Sequence, residues 1–148
     1  MDFFLYMEVM TKVFCFLESV MMKIDHIAIY VSNLEVVKDF FITYFRAEAN
    51  EMYHNSRTGL RSYFLSFDNG CRIEIMSRPE VHETVFDEFR AGFIHLSFSV
   101  GGRKAVDTLT ARLEEEGYVV LSGPRMTGDG YYESCIKGIE NLLIEICE

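Results

Sequence analysis

The chain has 148 residues, 49% hydrophobic and 25% charged, the balance of one folded domain with its own core and not of a disordered or multidomain chain. Fourteen basic against 23 acidic side chains leave a formal charge of −9, which disfavours nucleic acid as a partner because phosphate binding needs a basic surface. The four cysteines, Cys15, Cys71, Cys135 and Cys147, form no CxxC or Cys/His finger spacing, which predicts a reduced, cytoplasmic protein.

Residues 1–21 are apolar but carry Asp2 where a secretion signal has Lys or Arg. Asp2, Glu8, Lys12 and Glu18 interrupt the stretch, so it predicts no membrane span and no membrane partner. Phe3, Tyr6, Met10, Val13 and Leu17 recur at helical spacing, giving either an extra amphipathic helix or a leader ahead of Met22, where the run MKIDHIAIYV opens.

From Met22 the pattern reads as strand, helix and three strands, then the same again. The first strand is DHIAIYV from Asp25. A helix follows from Ser32 or Asn33, both good N-caps, to Phe45, with Leu34, Val37, Phe40, Phe41 and Tyr44 on its apolar face. Strands are expected over Ala47–Tyr53 and Leu60–Phe67, and the unit closes on RIEIM from Arg72. Residues 78–91 form an acidic connector, with a helical turn around Glu83 to Phe89. The second unit opens on IHLSFSV from Ile94 and continues as a helix from Arg103 to Glu116, capped by Gly117. Its later strands are expected over Tyr118–Ser122 and Tyr131–Lys137, with LIEIC from Leu143 closing the unit.

The two units repeat in register: His26 falls on His95, Val37 and Phe40 on Val106 and Leu109, and Glu74 on Glu145. Each unit, of about 55 residues, is too small to stand alone. One α+β domain over 22–148 is therefore predicted, with paired βαβββ modules (22–77 and 92–148) forming a curved mixed sheet around a metal-containing cleft.

Strand alternation places the four repeated polar residues on one side. His26 lies opposite Ile27 and Ile29, His95 opposite Leu96 and Phe98, Glu74 opposite Ile73 and Ile75, and Glu145 opposite Ile144 and Ile146. A carboxylate inside so apolar a strand is costly when buried unless paired or bound to a cation, and here it occurs twice at equivalent positions. Two imidazoles and two carboxylates suit one divalent ion, Zn²⁺, Ni²⁺ or Co²⁺ above all, with Mn²⁺ or Fe²⁺ as further choices. His54 and His82 repeat nowhere and are expected at the surface.

With these motifs the sequence resembles the vicinal oxygen chelate superfamily of glyoxalases, bleomycin-resistance proteins and extradiol dioxygenases. The openings DHIAIYV and IHLSFSV and the closings RIEIM and LIEIC look like that family's metal-ligand strands, and the His–Glu–His–Glu set is most similar to its glyoxalase I branch. The resemblance implies a homodimer and an octahedral metal held by His26, Glu74, His95 and Glu145. It also implies a lyase or isomerase that moves a proton through an enediolate of a small α-hydroxycarbonyl substrate, with Glu74 or Glu145 as the base. A non-catalytic resistance-type binding module and an epimerase of the same fold are the alternatives. Two positions depart from the bacterial glyoxalase I pattern: Tyr30 stands where it has Arg, and Arg78 where it has Asn, both contacts to glutathione. Arg78 remains a candidate anion contact, and Tyr131 and Glu133, in the stretch TGDGYYES, are candidate substrate contacts.

Overall fold

The computed structural model describes residues 23–68, 70–82 and 91–148. In chain order the elements are β1 (Ile27–Tyr30), α1 (Leu34–Phe45), β2 (Glu48–Ala49), β3 (Tyr53–His54), β4 (Arg61–Ser66), β5 (Arg72–Ser77), β6 (His95–Ser99), α2 (Arg103–Glu115), β7 (Val119–Met126), β8 (Tyr132–Lys137) and β9 (Leu143–Cys147). Residues 1–21 and the helical turn expected around Glu83 to Phe89 lie outside the described residues. Among the described residues no helix is long and apolar enough to cross a membrane.

The helices start and stop where local chemistry dictates. Asn33 is extended, and its side chain accepts the Val36 N–H at 3.2 Å, satisfying a donor that the first turn of α1 leaves unpaired. At the end of α2 the Tyr118 N–H reaches the Leu113 carbonyl at 2.9 Å and the Gly117 N–H reaches that of Glu114 at 3.0 Å. This paired closure requires a left-handed residue, and Gly117 supplies it at φ +95°. The apolar faces are buried as expected: Leu34, Val37, Phe40 and Phe41 on α1, Val106 and Leu113 on α2. Thr110 joins the buried face of α2, while Leu109 is only partly covered.

Each module builds its own mixed sheet, in the order β1-β5-β4-β2 with β3 also on β4, and β6-β9-β8-β7. The first strand of each pairs parallel with the last, β1 with β5 and β6 with β9. The α+β architecture of repeated βαβββ modules thus stands as predicted. The two modules contribute one sheet each, and among the described residues no ladder joins β1 to β6. These two strands, β1 directly after His26 and β6 opening on His95, are the edges of their sheets.

Two strand expectations need correction. The stretch Ala47–Tyr53 is broken into β2 and β3, because the Asn50 side chain accepts the Phe64 N–H at 2.7 Å and diverts the ladder. The strand expected to end at Ser122 runs on to Met126. It passes Pro124 because β7 is an edge strand and its register against β8 shifts between Ser122 and Arg125, so the missing N–H breaks no ladder bond.

One core serves both modules. Phe41 has ring centroids 6.4 Å from Phe67 and 6.0 Å from Phe98, and Phe45 lies 4.3 Å from Phe98. Phe40 packs on Tyr118 at 5.2 Å. The Glu140 carboxylate accepts the Ser32 and Asn33 N–H groups at 2.7 Å each, placing a second-module anion at the start of α1. Gly138 allows the close approach, since a Cβ there would stand 2.8 Å from Ile144 Cδ1 and 3.3 Å from the Phe40 ring. At the other end of α1 the Tyr44 hydroxyl donates to Glu116, and burial followed by that bond pushes its pKa up to about 12.

Candidate metal centre

The four repeated residues face away from the helices, as strand alternation predicts, and form two equivalent pairs. In the first module the parallel register sets Ala28 beside Glu74, which carries the carboxylate alongside the start of β1. His26 Nε2 lies 3.8 Å from Glu74 Oε2, with side chains 36% and 18% exposed. In the second module Ser97 is in register with Glu145, and His95 Nε2 lies 3.8 Å from Glu145 Oε2. Half-buried carboxylates therefore face imidazoles across gaps too long for a hydrogen bond.

Each pair is held by a different neighbour. His26 Nδ1 lies 2.9 Å from Asp25 Oδ2. A carboxylate only accepts, so Nδ1 carries the hydrogen of this bond, which orients the ring with Nε2 toward Glu74. The Arg72 guanidinium also binds Asp25 and lies 4.7 Å over the Phe64 ring, which makes a T-shaped contact with the His26 ring at 5.1 Å. Hydrogen bonds from His26 and then Arg72 hold the Asp25 carboxyl below the usual range. In the second pair the Ser97 hydroxyl donates to Glu145 Oε1 at 2.6 Å, leaving Oε2 toward His95.

Around the second pair the same face carries Glu133 and Cys135. Burial first, then the Glu145 charge, pushes the Glu133 carboxyl above its ordinary value, against the pull of Arg125, whose guanidinium is 3.7 Å away. Burial, followed by Glu145 and Glu133, likewise raises the Cys135 thiol. A raised carboxyl binds its proton more tightly in the folded state, so its contribution to stability falls as pH rises through the ordinary Glu range. In chelator-treated protein, Glu133→Gln is therefore expected to raise Tm at pH 7, with the gain shrinking as pH drops below that range. A loss of Tm at pH 7 would show that pairing with Arg125 outweighs burial.

Other sequence candidates divide. The Arg78 guanidinium is held by Glu80 at 2.7 Å and by the Tyr30 hydroxyl, at the end of the His26 face. Tyr131 stands one residue before the strand that carries Glu133. It is 57% exposed and precedes β8, its carbonyl accepting the Thr127 N–H at 2.8 Å to close a turn. His54 and His82 are exposed, as expected. Asp25, Ser97 and Arg125 escaped the sequence reading. Alternation alone put Ser97 beside His95 on the open face, but its partner depends on register, and the β7 irregularity hid Arg125.

The sequence leaves open whether one chain or two supply the four ligands. Among the described residues no group of three or more His, Cys, Asp or Glu side chains stands ready for one ion. A separate cleft of about 960 Å³ is lined from both modules by Ile27, Phe45, Phe67, Phe93, His95 and Phe98. Of the four repeated residues only His95 reaches it, so the cleft and the carboxylates are distinct features.

A family model for the Glyoxalase/Bleomycin resistance protein/Dioxygenase superfamily matches residues 23–146. An uncharacterized Bacillus subtilis (strain 168) protein, YqjT, is 25% identical over 124 residues, covering 82% of this chain and 94% of its own length. Among solved structures, a mutant glyoxalase I from Zea mays superposes with a TM-score of 0.69 at 14% identity, over 84% of this chain and 44% of that one. A fosfomycin resistance protein, FosX, from Listeria monocytogenes, complexed with Mn(II) and sulfate, superposes with a TM-score of 0.63 at 19% identity, over 86% of this chain and 93% of its own.

Proposed function

Since the chain belongs to the glyoxalase/bleomycin resistance/dioxygenase superfamily, we propose that it is a metal-dependent lyase or isomerase of the glyoxalase I type, acting on a small α-hydroxycarbonyl substrate. The observation that carries this reading is the repeated pair: His26 with Glu74 and His95 with Glu145, each Nε2 to Oε2 at 3.8 Å. The donor set fits a divalent ion of the Zn²⁺, Ni²⁺ or Co²⁺ kind, with Mn²⁺ or Fe²⁺ as further choices. Imidazole nitrogen and carboxylate oxygen are ordinary ligands for these ions, and each pair presents one of each.

Each pair supplies two donors, so a four-ligand site needs both. The reading that satisfies this is a homodimer in which His26 and Glu74 of one chain meet His95 and Glu145 of another. Among the described residues β1, which directly follows His26, and β6, which opens on His95, are sheet edges, and this suits such a meeting. The bound ion would supply Lewis-acid polarisation of the substrate carbonyl. The chain supplies the rest. Asp25 and Ser97 orient ligand atoms, and one of the two glutamates takes the proton beside the carbonyl and returns it to the neighbouring carbon. Arg78, at the position where the resembled glyoxalases carry Asn and held against Tyr30, at the position of their Arg, offers a cation to an acidic end of the substrate. Glu133, beside Arg125 on the second face, is a further substrate contact. A reducing, cytoplasmic setting agrees with the cysteine spacing.

The second reading is a small-molecule-binding module without turnover. The aromatic cleft favours it, since Phe45, Phe67, Phe93 and Phe98 enclose apolar space away from both carboxylates. Elemental mass spectrometry of untagged protein separates the two. About one divalent ion per chain, lost in His95→Ala, is the expected result. Protein that stays ion-free after reconstitution with Ni²⁺, Co²⁺ and Zn²⁺ would reject the metal reading and leave the binding module.

A further inference from the structure

We propose that Ser97 is the positioning residue that fixes Glu145, and that Glu74 is therefore the carboxylate free to turn toward a substrate and take its proton. The inference rests on the metal-dependent reading above.

The two glutamates are matched in almost everything else. They occupy equivalent positions in the repeat, lie equally far from their histidines, and are 18% and 21% exposed. They differ in their neighbours across the sheet. Glu145 sits between Ser97 on β6 and Cys135 on β8, whereas Glu74 sits between Ala28 on β1 and Phe64 on β4. Ser97 gives Glu145 a short hydrogen bond to a charged acceptor, which holds Oε1 and leaves Oε2 aimed at His95. The serine is steadied in turn by Cys147 Sγ at 3.5 Å. Ala28 and Phe64 have no hydrogen to donate from their side chains, and the Glu74 carboxylate faces His26 Nε2 at 3.8 Å.

The first module restrains the opposite partner, since Asp25 holds the imidazole. One half of the site thus has a fixed histidine beside an unrestrained carboxylate, and the other has a fixed carboxylate. A base must alternate between holding its place and reaching the substrate. A carboxylate bridged to Ser97 gives up that bond to do so, whereas Glu74 gives up none.

Titration of the metal-free full-length protein with Co²⁺ alone, followed by visible absorption and by calorimetry, tests this assignment. Ser97→Ala is expected to weaken Co²⁺ binding about 10-fold or more, as loss of an orienting partner does elsewhere, and Ser97→Thr is expected to restore it. Glu145→Gln should weaken binding more than Ser97→Ala, and Glu74→Gln less than Glu145→Gln, with Co²⁺ still bound under a changed absorption spectrum. A Glu74→Gln loss as large as that of Glu145→Gln, or a Ser97→Ala titration matching the wild type, overturns the assignment while leaving the metal reading intact. A wild-type protein that binds no Co²⁺ overturns both.

Discussion

Two double variants, each unable to hold the ion, are expected to recover about a quarter of the wild-type sites when co-expressed. One carries His26→Ala with Glu74→Gln, the other His95→Ala with Glu145→Gln. In a homodimer of either, every shared site has one dead half. In the mixed dimer one site combines both dead halves, while the other combines the two intact ones. Random pairing makes half of the dimers mixed, and half of their sites are whole. The readout is tightly bound metal per chain after dialysis, so it does not depend on knowing the substrate. Sites built within one chain predict no recovery at any mixing ratio. The two outcomes differ by the whole signal, because a two-donor remnant holds an ion far more weakly than four donors do. The experiment follows from the placement of the pairs, which among the described residues do not gather into one group.

Phe41→Ala is expected to destabilise the protein by about 3–5 kcal/mol, since truncating a fully enclosed aromatic residue loses its transfer energy and leaves a cavity. The ring is fully buried and touches Phe67 of the first module and Phe98 of the second, so the loss falls on the joint between them. Against a total of about 5–15 kcal/mol for a typical domain this is a large share. The thermal midpoint should drop by roughly 10–20 °C for a chain of this size. Val36→Ala, on the same helix but 47% exposed, is the control and should stay within about 0.5 kcal/mol. A Phe41→Ala midpoint close to that control would mean that each module is held by its own sheet and helix, with little energy stored between them. The two-chain site proposed above depends on how the modules of one chain are set, so on that reading the variant should also weaken metal binding below its unfolding temperature.

Much of this was legible in the residues because it is local. The capping chemistry of Asn33 and Gly117 bounded the helices, and both caps form the expected bonds. The period-two alternation assigned each repeated residue to a face, and His95, Glu74 and Glu145 point away from the helices as that rule requires. Where a side chain competes with the ladder, the pattern misled. Asn50 reads as part of a strand yet spends its side chain on Phe64, and Tyr131 reads as a strand residue yet belongs to the turn from Thr127. The β7 strand ran past its expected end because an edge strand tolerates Pro124, and edge position is a property of the sheet order.

By itself, then, the sequence determined the doubled module, the two His–Glu pairs and the face they share. These follow from backbone periodicity, which is the same wherever the strand is placed. Tertiary structure alone decided that Ser97 falls on Glu145 while Ala28 falls on Glu74, for register depends on how one strand slides along its partner. It also decided that, among the described residues, β1 and β6 end as separate edges and the two pairs do not gather into one group. That outcome depends on contacts between distant residues, Phe41 against Phe98 and Glu140 against the start of α1, whose energies no local pattern encodes.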